Sequence, residues 1–192
     1  MSRIVAAASR TDLLASGGTR AVLLQLDGDE ADALASLAGQ VETLLGESDP
    51  ASPGLTRLFP VAYNDDASAA AEFARYTRPE LQKRKIDAAT TVREAVEAAS
   101  ALGIDDERYG HNIEIDPETL LAWLTFLTDL RLVLADSIGV ADDGSLSDAA
   151  AAASEELAQL RELQRGVYDW AAFLQDSLIG AVEMDLPEPE LP

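Results

Sequence analysis

Between Glu118 and Ile138 the chain places Leu120, Leu121, Trp123, Leu124, Phe126, Leu127, Leu130, Leu132, Val133 and Leu134 around most of a helix's circumference. A helix without a wide polar face has to be covered by other elements, so this segment predicts the central member of a helical bundle. Asp129 and Arg131 interrupt it. Two positions apart on a helix, they point in different directions, and each needs its own partner. Arg75 and Arg93 are candidates for Asp129; Asp169, Gln175 and Asp176 are candidates for Arg131. Two readings follow. One is a structural polar network that fixes helix register; the other is a polar pocket of Asp129, Arg131 and Gln175.

Other helices supply the cover. Asp27 stands three residues before Glu30, a capping-box spacing, and Leu34, Leu37, Val41, Leu44 and Leu45 follow at near-helical period up to Gly46. Ser48 to Gly54 is a loop by composition, and Leu55 to Asn64 is a short apolar piece broken by Pro60. Helices are expected over 67–75 and 78–101, the second opened by a Thr77/Glu80 capping box with Pro79 in its first turn and closed by Gly103. Leu157, Leu160, Gln164, Val167, Ala171, Leu174, Leu178 and Val182 recur every three or four residues, with Gly166 a point where this last helical region breaks in two. Trp123, Trp170, Phe173 and Tyr168 fall on the two most apolar helices and read as core.

Two short β segments stand out. Ala21 to Leu26 is rich in leucine and valine, and Asn112-Ile113-Glu114-Ile115 alternates polar and apolar residues. Each is followed by an aspartate and an acidic helix start, and the two can pair as a ribbon. The fold class expected is therefore mainly α: a single helical bundle over 1–182 with a small two-stranded β ribbon, then an acidic, proline-rich tail over 183–192.

The chain has 192 residues and a formal charge of −21, from 35 acidic and 14 basic side chains. Such a field repels phosphate backbones and anionic lipid, so nucleic acid is an unlikely partner and a membrane is not expected. The most apolar window, Leu120 to Val140, carries Asp129, Arg131 and Asp136 and does not read as a membrane span. The Ile4 to Ala8 run is too short for a secretory signal, and a cytoplasmic location is expected.

Chemistry finds little to work with. With 0 cysteines there is no disulfide, thiolate nucleophile or cysteine-based metal site. His111, the 1 histidine, lies before a strand and reads as a solvated loop residue. Asp65-Asp66, Asp105-Asp106, Asp142-Asp143 and Glu155-Glu156 are adjacent acids that point apart and read as surface charge. No nucleotide-binding or hydrolase motif occurs. No cofactor and no metal are expected, and an enzyme is the less favoured class.

One stretch runs against the charge of the rest. From Arg75 to Arg93, six cations (Arg75, Arg78, Lys83, Arg84, Lys85 and Arg93) stand against Glu80 and Asp87; that gives the stretch +4 and leaves −25 for everything else. Intramolecular neutralisation of an acidic surface accounts for this simply. The functional reading is a docking site for an acidic partner through Arg75, Arg78, Lys83, Arg84 and Lys85, the partner being another protein or a second copy of this chain.

Three clusters carry a family resemblance: Leu58-Phe59-Pro60 with Tyr63, Asp65, Asp66, Glu72, Phe73 and Arg75; Trp123-Leu124 with Leu127 and Asp129-Leu130-Arg131-Leu132; and Tyr168, Trp170, Leu174-Gln175 and Ser177-Leu178. Together they resemble an uncharacterised actinobacterial family, a domain of unknown function whose genes commonly lie beside that of the ClpS adaptor of the Clp protease. The resemblance spans about Ala21 to Val182 and carries no catalytic residue. It implies a link to regulated proteolysis, and some members are labelled transcriptional regulators. The expectation is thus a non-enzymatic protein-interaction or regulatory protein. The alternatives are a transcription regulator, with 78–101 as the recognition helix, and a ligand binder or enzyme built on Asp129 and Arg131.

Overall fold

Asp27 opens the first helix with both halves of a capping box. Its carboxylate accepts the Glu30 N–H at 2.9 Å, and the Glu30 carboxylate accepts the Asp27 N–H at 3.0 Å. The computed structural model describes residues 3–6, 21–47, 54–102, 110–139 and 155–183. In chain order these form β1 (Arg3–Ala6), β2 (Val22–Leu26), α1 (Gly28–Gly46), α2 (Leu55–Leu58), α3 (Ala67–Leu102), β3 (His111–Ile115), α4 (Pro117–Ile138) and α5 (Glu155–Glu183).

The fold is mainly α with a small antiparallel sheet, and β2 and β3 pair as the ribbon expected of them. Val22 faces Ile115, Leu24 faces Ile113 and Leu26 faces His111. Because side chains alternate along a strand, Val22, Leu24, Leu26, Ile113 and Ile115 all turn to the helices and are buried. On the other face Gln25 donates to Asn112 at 2.9 Å. A third strand, β1, pairs antiparallel along the free edge of β2. His111 is not a solvated loop residue: it is the first residue of β3, half-buried, with Nδ1 buried and without a hydrogen-bond partner among the described residues.

The helices stack in sequence order of contact. Arg93 reaches Glu42, and Gln82 donates to the Leu45 carbonyl, so α3 runs antiparallel to α1. On its other side α3 packs on α4, and α4 packs on α5. As its apolar circumference requires, α4 is central and touches α1, α2, α3 and α5. It ends at Gly139, whose left-handed φ of 74° lets its N–H turn back to the Ala135 and Asp136 carbonyls. One core unites Leu34, Val41 and Leu45 of α1 with Val92 and Val96 of α3, Trp123, Phe126 and Leu127 of α4, and Leu174 and Leu178 of α5. Tyr168 and Trp170 pack against its rim, whereas Phe173 is 49% exposed and does not belong to it.

Two expected breaks do not occur. Residues 67–75 and 78–101 are one helix of 36 residues that runs through Pro79. Thr77 donates its hydroxyl to the Phe73 carbonyl one turn back, and Glu80 holds Arg84, so neither serves as a cap. Gly166 likewise sits inside an unbroken helix of 29 residues. Its missing Cβ would meet nothing within 4 Å, so local propensity alone argued for a break, and the continuous packing stripe overrides it. Glu183 ends α5, and the expected tail beyond it lies outside the described residues, as do Asp105-Asp106 and Asp142-Asp143. Among the described residues no helix is long and apolar enough to cross a membrane.

Candidate functional site

The N-terminal part of α3 stands clear of the bundle. Asp66 caps it, accepting the N–H groups of Ser68 and Ala69 at 3.0 and 2.9 Å. The end of α1 lies opposite Gln82, and none of residues 67–81 is buried, whereas Ala88, Ala89, Val92, Val96 and Ala99 further on are. Alanine at 67, 69, 70, 71 and 74 gives this overhang high intrinsic helicity, which continuity with the packed half sustains.

The overhang is walled on one side by the segment that follows α2. Leu55 and Leu58 anchor that segment in the core, and Arg57 pairs with Asp136 of α4 at 3.2 Å. Beyond them Phe59, Pro60, Val61 and Ala62 run beside Ala70, Phe73, Ala74, Thr77 and Leu81, and the two walls enclose a cleft of about 480 Å³. Tyr63 lies edge-on to Phe73, ring centroids 5.8 Å apart at 86°. The alanines make a shallow floor, and the larger side chains stay in water: Val61 is 64% exposed, Phe73 44% and Leu81 42%. A contiguous apolar trough of this kind on an acidic protein is unusual unless something occupies it.

The predicted basic site does not form one surface. Positions 83, 84 and 85 advance by about 100° each and so part company. Lys83 turns outward to Asp87 at 2.6 Å, and Arg84 turns outward to Glu80 at 3.1 Å. The Asp87 carboxylate beside Lys83 holds its ammonium's pKa above the ordinary value. Arg93 pairs with Glu42 at 2.9 Å and with Glu97 at 3.0 Å, which raises its pKa in the same way. Lys85 turns inward. Four of the six cations are therefore paired with the chain's own acids.

Arg75 and Arg78 remain, one turn apart; Arg78 lines the cleft and Arg75 does not. The Arg78 guanidinium lies over the Phe59 ring at 4.7 Å and makes no ion pair among the described residues. Arg75 lies over the Tyr76 ring at 4.7 Å, and its nearest acid, Glu72, is at the 4.0 Å limit of contact.

The proposed polar pocket is not brought together either. Asp129 faces α3, where Lys85 rather than Arg75 or Arg93 meets Oδ1 at 2.5 Å. Burial raises the pKa of Asp129, and the Lys85 bond opposes that rise. Arg131 faces α5, donating to Gln175 at 2.8 Å and to the Tyr168 hydroxyl at 3.3 Å, with that ring 5.1 Å beneath it. Gln175 in turn donates to Thr128 at 2.8 Å. Asp129 Oδ2 and Arg131 Nε stay buried without partners among the described residues, on opposite sides of α4. None of the three residues lines the cleft or the groove of about 460 Å³ between Leu81, Lys85, Leu121 and Thr125. Among the described residues no group of acids and histidine is placed to hold a metal ion.

The cleft was the part of the site that sequence reasoning missed. Ala70, Phe73, Ala74, Thr77 and Leu81 lie on one helical stripe, a signal present in the sequence, but a helix boundary placed at Thr77 divides it.

Comparison with known proteins adds the family and no activity. No curated protein and no solved structure matches the chain. Residues 10–182 match the model of a domain of unknown function, DUF2017, and the chain belongs to that family.

Proposed function

We propose that this chain is a non-enzymatic protein-interaction protein that docks a partner in the cleft between residues 58–63 and the overhang of α3. The observation that carries the reading is the combination of an open apolar trough, between the overhang of α3 and the segment after α2, with Arg78 in its lining. Helix-and-groove recognition uses such surfaces, with apolar anchors giving affinity and rim charges giving orientation. A regulatory role in the cytoplasm, as an accessory factor in Clp-type proteolysis, is the setting we propose for it; its support is the family resemblance of the three sequence clusters alone.

Replacement of Phe73 by a photo-crosslinking amino acid in the native host tests the reading. A discrete crosslinked partner formed from position 73, and absent when the probe replaces Leu102 at the far end of the same helix, is the expected result. Components of a Clp protease among the products would support the setting. Equal crosslinking from both positions, or none from position 73, would sink the docking reading.

A further inference from the structure

The partner's chemistry can be taken one step further, on the footing that the cleft is a docking site. We infer that it takes an acidic, apolar segment of another protein, with apolar side chains seated on Phe73 and Leu81 and a carboxylate met by Arg78. This chain carries 35 acids against 14 bases, so any cation on its surface has abundant acid to pair with. On α3, Lys83, Arg84, Lys85 and Arg93 have each found an acid within 3.1 Å. Arg78, which lines the cleft, has not. Arg78 is braced against an aromatic ring instead, Phe59, which also lines the cleft.

A guanidinium stacked on a ring keeps its N–H edge free for a carboxylate while losing rotamer freedom before any ligand arrives. Lys85 Nζ lies 6.0 Å from the same ring centroid, but its charge is already met by Asp129. A basic segment would meet the like charge of Arg78 there and the acidic field of the rest of the chain only further off. An acidic one gains short pairs in a partly desolvated trough, where they are worth more than on an open surface.

Selection of a random displayed peptide library against the full chain tests this. We expect enriched peptides that combine leucine, isoleucine or phenylalanine with aspartate or glutamate. Ala74→Trp, which fills the cleft floor at an exposed position, should abolish their binding. Arg78→Glu should weaken it by about tenfold and shift later selections toward basic peptides, with the parent's thermal unfolding retained. Enriched neutral or basic peptides that still depend on Ala74 would overturn the acidic inference and leave the docking site standing. Peptides indifferent to Ala74→Trp would overturn the docking site itself. Two further results would overturn the partner: a concentration-dependent dimer lost in Ala74→Trp, which gives the cleft to a second copy, and peptide capture only after deletion of residues 184–192, which gives it to the chain's own acidic tail.

Discussion

The ammonium of Lys85 on α3 meets Oδ1 of Asp129 on α4 at 2.5 Å, and it is the sole partner of that carboxylate among the described residues. The Asp129 side chain is 2% exposed and that of Lys85 18%, so the acid lies deep and the base reaches it from the rim. The pair joins the two helices whose other contacts are apolar or exposed.

Removal of Lys85 strands a buried carboxylate. Lys85→Met is expected to cost about 3–5 kcal/mol near neutral pH, the penalty for breaking one side of a buried pair. The folded-state pKa of Asp129 is raised above 3.8, so the folded form takes up its proton first on acidification. Stability tied to this group therefore falls as pH rises through the window between 3.8 and the raised value, and without Lys85 that window widens upward. The deficit of Lys85→Met should shrink as the pH is lowered toward about 4. Urea unfolding of both proteins across that range checks it; a deficit independent of pH would mean that the carboxylate finds water or another donor.

The double replacement Lys85→Met with Asp129→Leu removes both the charge and its need for a partner. Its stability is expected within about 1 kcal/mol of the parent, well above that of Lys85→Met alone, because apolar groups of like volume often match a buried pair. A double variant as weak as the single one would show that the pair contributes shape at the α3–α4 contact and not only charge balance.

At the other end of the bundle the sign reverses. The backbone N–H of Glu30, foremost, holds the Asp27 carboxyl below its ordinary 3.8. Stability from this cap is present above that value and is lost as pH falls through the lowered folded one. Asp27→Ala is expected to cost about 0.5–2 kcal/mol at neutral pH and little in acid, while Asp27→Asn keeps most of the cap without the pH dependence. Chemical unfolding of the three proteins at several pH values is the measurement. Equal pH profiles for all three would remove the ionised cap from the account.

These contacts mark where the sequence was legible. The capping box, the pairing of 22–26 with 111–115 and the central position of α4 follow from short-range pattern, and the structure has all three. The need of Asp129 and Arg131 for separate partners was also legible, and Gln175 was among those named. Lys85 was not, because a lysine inside a run of three cations looks solvated until the helix facing it is known. The two false helix breaks have local signals in common, Pro79 and Gly166: packing along α5 overrides the glycine, and the alanine-rich run before Pro79, continuous with the packed half of α3, carries that helix through the proline.

Glycine has opposite consequences at two positions. Gly166 has a helical environment and open space, so Gly166→Ala should stabilise by about 0.5–1 kcal/mol. Gly54 has φ +88°, and a Cβ there would sit 3.4 Å from Leu44 and from Val133, so Gly54→Ala should cost at least about 1–2 kcal/mol in backbone strain. Thermal unfolding separates the two. A destabilised Gly166→Ala would show that α5 needs freedom at that point.

Pro79 offers a test of how the cleft is held. Its ring removes the N–H that would bond the Arg75 carbonyl and crowds that carbonyl, a penalty of about 3 kcal/mol in a helix interior. Because nothing in 67–81 is buried, this overhang opens without disturbing the core, and its local stability sits far below the global value. Pro79→Ala should therefore slow hydrogen exchange of amides 67–78 strongly while moving the global unfolding midpoint little. If the cleft binds by closing around a ligand, the same change also raises affinity for the selected peptides, since less helix remains to be ordered on binding. Unchanged exchange in 67–78 would show that the contacts of Phe73 with Tyr63 and of Arg78 with Phe59 already hold the overhang, and that the cleft is preformed.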